Sequence, residues 1–575
     1  MFAALVVATV GAFFVTTRLK RSTPVIEQLM FRRSFSPNGD GRFDVALFSF
    51  RLRRTDEVTV AIVTRDGDEV RTLTRDVLLA GGQRHRFHWE GRTDAGRVAR
   101  DGEYHIRVGL RRQGRTVTSP RKLFLDTRPP RPVVTSVSPD SFSPDGAGEA
   151  NSVRVRFSGA SRRARLLVYR TDVRPPRLVA RRSVARGSTK VRWDGRTPGG
   201  DPAPTGNYLL AVRAQDAAGN VGPPDLPPRR RAVRGHPGVA VRYVAATRSL
   251  QPAAAGALTR FRVLADGRRY RWSVRRLGRA RILGRGSSRR ETLTVRAPRG
   301  RSGVALLTVR VGAHRYSTPF AVQANRHQRV LVVLPAATWQ ARNPLEADGD
   351  GYADVLPAVR EVGLRRPFAG SGMPPGFMPD QAAVLQFLRS ERERFDLTTD
   401  LALAQDPGVL ERYRGMLFVG APRFAPGSVV EAARPFLRGG GRVGWLGTGA
   451  FEWTVSARGD SLALGTRLRS GPLGERVFRR VPGAPLVVLG DRISFFRGTG
   501  AGLGPFGPQE ESLRLPARVR VLASAGSEAE RPAIVVYRTG GGVVARVGVD
   551  RFGRTLATSP DAGRIMRRLW ALLSR

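Results

Sequence analysis

His88–Leu110 reads HWEGRTDAGRVARDGEYHIRVGL, and Arg192–Ala214 reads RWDGRTPGGDPAPTGNYLLAVRA. Trp89 and Trp193, Gly91 and Gly195, Gly96 and Gly200, Gly102 and Gly206, and Tyr104 and Tyr208 fall in register, so one unit occurs twice in tandem. Upstream of each copy stands its own turn, FSPNGDGRFD at Phe35–Asp44 and FSPDGAGEAN at Phe142–Asn151. Between turn and Trp, the period-two segments EVTVAIVTRDG and ARLLVYR predict half-buried strands joined by Gly and Asp turns. Each unit therefore reads as a β-sandwich whose Trp plugs the core and whose glycines supply the positive φ of tight turns.

The ordered landmarks FSPNGDG, W-D-G-x-x-x-x-G and P-x-G-x-Y resemble the Ig-like domain of flagellar hook-capping proteins and of many exported bacterial proteins, over about Met30 to Pro228. In the first turn, Asn38, Asp40 and Asp44 have the donor spacing of the middle of a calcium loop, with Gly41 at the sharp bend. The second copy keeps Asp145 and Asn151 but has Ala147 in place of Asp40. An Asx turn that starts the first strand fits both copies, and calcium in the first copy is the alternative. From His236 to Gln323 the strand-like runs RYRWSVRRL, ETLTVRAP and GVALLTVRVG predict a third small β domain without those landmarks.

At 575 residues the chain is too long for one core, and 41% hydrophobic residues suffice to build several. The formal net charge of +51 is almost all Arg, with Lys only at Lys20, Lys122 and Lys190. Because the Arg residues are spread over strands, turns and helices alike, a specific nucleic-acid surface is not expected. Anionic envelope polymers or lipids are the partners such a field would attract. With no Cys, disulfides, thiolate nucleophiles and Cys-ligated metals are excluded. The apolar run from Phe2 to Thr17, followed directly by Arg18, Lys20 and Arg21, predicts an uncleaved N-terminal anchor and thus a single-pass cell-membrane protein with its bulk extracytoplasmic.

At Arg329 the texture changes: RVLVVLP reads as a fully buried strand, and GMLFVG, GRVGWLG, PLVVLG, AIVVYR and GVVARVGV follow, interleaved with the helical runs DQAAVLQFLRSERER, SVVEAARPFLRGG and DAGRIMRRLWALLSR. The alternation predicts a doubly wound α/β domain. The order of VLVVLPAATWQARN, FDLTTDLALAQDPGVLERYRGMLFVG, FLRGGGRVGWLGTGAFEW and GGGVVARVGVDRFG resembles the C-terminal domain of the N,N-dimethylformamidase large subunit, which implies a type-I glutamine amidotransferase-like fold over about His327 to Arg575. The expected layout is an anchor at 1–22, Ig-like units at 30–128 and 132–230, a small β domain at 236–325 and the α/β domain at 327–575.

The resemblance also implies an iron site held by Tyr and Glu, but Gln340-Ala341-Arg342-Asn343 and Ala421-Pro422-Arg423-Phe424 stand where relatives carry Gln-Ala-Tyr-Asn and His-x-Glu-Tyr, so that ligand set is gone. No His follows His327. A weak nucleophile-elbow pattern offers Thr448 between Gly447 and Gly449, with Glu452 nearby; close backbone packing is the competing account of those glycines. In LEADGDGYADVLP, Glu346, Asp348, Asp350 and Asp354, with the Tyr352 carbonyl, approximate a calcium loop that lacks the final bidentate Glu; a solvated acidic turn is the alternative. Trp339, Gln340 and Phe368 are candidates to line a ligand crevice at the sheet's carboxyl end, or else to belong to the core. Two functions follow: an anchored envelope protein presenting a non-catalytic ligand-binding domain on an Ig-like stalk, or an exported metal-dependent amide hydrolase with a rearranged site.

Overall fold

The computed structural model describes residues 25–145, 151–159, 163–223, 233–468, 473, 475–500, 502–515, 518–525 and 531–575. In the first unit a three-stranded sheet, Ile26–Phe31, Ala46–Leu52 and Arg84–Trp89, faces a second sheet ordered Ser34–Phe35, Leu123–Leu125, Gly102–Leu110, Asp56–Thr64 and Glu69–Leu79. The alternating burial of Ala46–Leu52 is what a strand with one core-facing side requires. Trp89 and Trp193 are 2% and 0% exposed, and each donates its indole N–H to a carbonyl three residues on, that of Arg92 or Arg196. Tyr104 and Tyr208 lie 4.9 and 5.2 Å from those rings and donate their hydroxyls back to Arg100 O and Pro204 O.

The two landmarks that co-occur in each copy are halves of one contact. A Cβ on Gly195 (φ 70°) would lie 2.3 Å from Cβ of Pro144, and one on Gly91 (φ 71°) would lie 2.7 Å from Cγ of Pro37. The Phe-Ser-Pro turn can seat on the Trp-x-Gly turn only if the latter has no side chain.

The second unit repeats this topology and takes its closing strand from Gly238–Val241, beyond the boundary expected at residue 230. The third repeats it again: Ala245–Thr247, Leu258–Leu264 and Thr292–Arg296 face Ala253–Ala254, His314–Gln323, Gly303–Val311, Tyr270–Arg276 and Ile282–Ser288. Its core is built on Tyr270, Tyr316 and an edge-on Phe261–Phe320 pair instead of a Trp.

The C-terminal region departs from expectation. Its nine-stranded sheet runs Asp396–Thr399, Val330–Leu334, Gly415–Phe418, Arg442–Leu446, Gly542–Val547, Pro532–Thr539, Val519–Ala525, Leu486–Asp491 and Gly502–Leu503. The first five strands are parallel, and the remaining four join antiparallel. Helix Pro560–Ser574 covers one face and Gly427–Arg438 the other. The described residues are 45% strand and 12% helix, so the doubly wound α/β, amidotransferase-like architecture is corrected to a mostly β protein. Apolar runs such as PLVVLG and AIVVYR do not distinguish a parallel from an antiparallel strand, and here their strands pair antiparallel with their neighbours.

Among the described residues no helix is long and apolar enough to cross a membrane. The transmembrane helix, the membrane as a partner and the single-pass cell-membrane location are therefore corrected, and the apolar stretch that suggested them lies in 1–24, outside the described residues.

Candidate functional site

Helix Ala336–Ala341 ends at Arg342, and the chain then forms the acidic loop. The loop closes on itself through Asp354 N–H to Leu345 O at 2.9 Å and Leu356 N–H to Ala341 O at 2.8 Å. Asp348 Oδ1 accepts from Asp350 N (3.2 Å), Asp350 Oδ1 from Tyr352 N (2.8 Å) and Asp354 Oδ2 from Ala347 N (2.6 Å). Ligand oxygens of Glu346, Asp348 and Asp354 all lie within 4.8 Å of one another.

Glu346 is the unusual member. It is 5% exposed, and its Oε1 accepts from Gly349 N at 2.6 Å while its Oε2 has no hydrogen-bond partner. Burial, reinforced by Asp354, Asp350 and Asp348, pushes its carboxyl up to about 8. An unsatisfied carboxylate oxygen facing two further carboxylates is costly unless a cation or proton is present. The donor set is all hard oxygen, which fits calcium or a similar ion.

The loop is also a joint. Glu346 N–H donates to Asn207 Oδ1 (3.3 Å), Asn207 Nδ2 donates to Pro344 O (2.8 Å), Gly238 N–H donates to Gly349 O (2.8 Å), and the Thr171 hydroxyl donates to Gly351 O. Asn207, Gly238 and Thr171 all belong to the second sandwich. At Gly351 (φ 84°) a Cβ would lie 2.8 Å from Cβ of Leu209. Gly351→Ala is expected to destabilise the full chain by about 1–3 kcal/mol, read as a lowered urea midpoint, because it adds both left-handed strain and a clash at the joint.

The other acidic turns are committed to protein partners. In the first Ig-like unit, Asp44 accepts from Gly39 N and Gly41 N at 2.8 and 2.7 Å, and Asp40 Oδ1 accepts from Arg42 N at 2.8 Å. Asn38 Oδ1 accepts from Asp40 N and its amide reaches Asn220 of the second unit, so Asn38, Asp40 and Asp44 form an Asx turn at a domain contact. In the second copy Asp145 pairs with Arg268, whose side chain is 9% exposed, and docks that turn on the third unit.

At the carboxyl ends of the parallel strands, Thr448 is buried with its hydroxyl 3.4 Å from Asp550 Oδ1. The adjacent Gly449 N–H, the natural oxyanion donor of an elbow, is taken by both oxygens of Glu510 at 2.9 Å. Glu452 is held between Arg423 (2.7 Å) and Arg467 (3.2 Å). Trp339, Gln340 and Phe368 are 4%, 1% and 6% exposed and close over a void of ≈ 20 Å³, room for one water. Gln340 is held by Arg366 O and Asn343, and Trp339 packs edge-on to Phe377.

The places implied for iron ligands hold Arg342 and Arg423, with Phe424 buried beside them. Burial, then the charges of Arg423 and Arg480, lower the Arg342 guanidinium, the mark of crowded cations. Those residues do not fit a metal ion. What the sequence reading missed is the burial of Glu346 and its seat on Asn207; only a long-range pairing between residue 207 and the loop could have signalled them.

Residues 290–476 match the family model for the N,N-dimethylformamidase beta subunit-like C-terminal domain, and residues 42–114 match that for the FlgD Ig-like domain. Both matches point to an exported protein. Curated proteins give no match. Among solved structures, the cold-adapted β-galactosidase from Rahnella sp. R3 is 16% identical at a TM-score of 0.25, covering 33% of this chain and 26% of that one. Salmonella α2-macroglobulin is 13% identical at 0.19 over 52% and 23%, and the mmIFT52 N-terminal domain is 17% identical at 0.24 over 34% and 90%. The chain thus spans about a quarter of the β-galactosidase's length.

Proposed function

We propose that this is an exported, non-catalytic binding protein in which the acidic loop takes one calcium ion and thereby fastens the C-terminal sheet to the second Ig-like unit. The observation that carries the reading is the buried Glu346, whose Oε2 has no hydrogen-bond partner and whose carboxylate clusters with those of Asp348 and Asp354. Glu346, Asp348 and Asp354 would hold the ion; Asp350 and the Tyr352 carbonyl lie in the same turn. The ion's charge would offset three neighbouring carboxylates at a joint to which Asn207 and Gly238 also hydrogen-bond. Against catalysis stands the strand-end geometry: Glu510 fills the elbow's amide, Arg423 and Arg467 neutralise Glu452, and Thr448's hydroxyl meets the carboxylate of Asp550.

Thermal melts of the full chain in calcium and in chelator test this. Calcium a hundredfold above its Kd is expected to stabilise the wild type by about 2.7 kcal/mol, and Glu346→Gln, which keeps the shape but loses the charge, is expected to lose that response. Superimposable melts of the wild type with and without calcium would refute the reading.

A further inference from the structure

A second site lies elsewhere, between the third sandwich and helix Ala382–Ser390. There a cavity of ≈ 1230 Å³ opens, floored by Leu277, Val304, Leu385 and Phe395. One wall carries Arg276, Arg279, Arg299 and Arg301 from the third sandwich, and the other carries Arg389 and Arg392 from the C-terminal region. In all, eight arginines and a single carboxylate, Glu393, line it. The whole chain has 98 basic and 47 acidic residues, so the cleft departs fourfold from the chain's own balance of about two to one. None of the eight has a carboxylate within ion-pair distance among the described residues, although Arg residues elsewhere in the chain commonly do.

The charges are held in place. Arg276 donates to the carbonyls of Arg301 (3.0 Å) and Arg299 (2.7 Å), which fixes the turn that presents those two side chains. Arg389 donates to Leu277 O across the cleft at 3.3 Å. Burial and then the opposing Arg389 lower the Arg276 guanidinium; burial, Arg279 and Arg301 do the same to Arg389, so the like charges feel one another across the gap.

We infer that this cleft binds a compact, multiply phosphorylated small molecule. Guanidinium forks match phosphate oxygens bidentately, and each phosphate group carries about −1.5 to −2 charge, so a few phosphates neutralise what a single carboxylate could not. The cavity exceeds the usual small-molecule range of about 300–1,000 Å³, and its apolar floor leaves room for an organic body beneath the anionic groups.

The test is calorimetric titration of the full chain with sodium tripolyphosphate at physiological salt. The comparison is Arg279→Ser/Arg301→Ser against the charge-matched Arg54→Ser/Arg65→Ser on the first Ig-like unit. All four side chains are exposed, so folding should survive both pairs of substitutions. The expected result is saturable binding that weakens about tenfold or more in the cleft variant and less than about twofold in the control, since each tenfold step is about 1.4 kcal/mol of lost charge-assisted contact. Equal losses in the two variants would assign binding to bulk charge and overturn the inference. So would heparin binding without tripolyphosphate binding, which would mark a polymer-binding surface instead.

Discussion

Glu475→Ala is expected to destabilise the C-terminal region by about 3–5 kcal/mol, the usual result of stranding a buried charge. Arg546 lies on the central strand Gly542–Val547 with its side chain 0% exposed, and the carboxylate in contact with it, Glu475, is 2% exposed. The contact, at 2.6 Å, is off the N–H axis, so it is a Coulombic pair more than an aligned hydrogen bond. The remaining guanidinium donors are satisfied by Glu510 O and Pro532 O, and Ser512 Oγ donates to the far oxygen of Glu475 at 3.0 Å. Removing the carboxylate strips a buried cation of the counter-charge in contact with it. Urea unfolding followed by tryptophan fluorescence measures the loss. The double variant Glu475→Ala/Arg546→Leu is expected to recover most of it, because deleting both charges also deletes the desolvation cost. A single variant within about 1 kcal/mol of wild type would contradict the pair's weight.

Trp193→Ala is expected to cost about 3–5 kcal/mol in the second sandwich, by lost burial plus the cavity left behind. Trp193 is 0% exposed and sits between Phe142 and Tyr208 at ring separations of 5.5 and 5.2 Å. Its removal also loosens the seat of the Phe-Ser-Pro turn, which reaches the third unit through Asp145 and Arg268. The second and third units are therefore expected to lose stability together. Hydrogen exchange would report it as lost amide protection in Leu258–Leu264 as well as in Val153–Ser158. Loss confined to the second unit would contradict the coupling.

These two residues mark what was readable in advance. Trp193 recurs with its glycines and tyrosine at fixed spacing, and those residue types have few explanations outside a packed turn, so the Ig-like units were legible. The third sandwich has the same strand order but was legible only as generic β structure, because Tyr270, Phe261 and Phe320 fill its core without a fixed turn motif. Arg546 was invisible: in a chain with 98 basic residues nothing local separates a buried arginine from an exposed one, and its partner is a distant residue. The same reason hid the arginine cleft, whose two walls come from segments about a hundred residues apart.

At the acidic loop the spacing of Glu346, Asp348, Asp350 and Asp354 was legible, because close-set carboxylates around Gly349 and Gly351 have a recognisable geometry. The loop's use as a joint was not, since it depends on Asn207, Gly238 and Thr171 arriving from another unit. At the strand ends the contacts of Glu510 with Gly449 were not legible, because the two residues are far apart in sequence.

The decisive measurement is calorimetric titration of calcium into the chelator-treated full chain, alongside Glu346→Gln and, as a control, Asp40→Asn. One equivalent bound by the wild type and by Asp40→Asn, and none by Glu346→Gln, is the expected result. No binding by the wild type, or binding abolished by Asp40→Asn and kept by Glu346→Gln, would contradict the assignment of the cation to the interdomain loop.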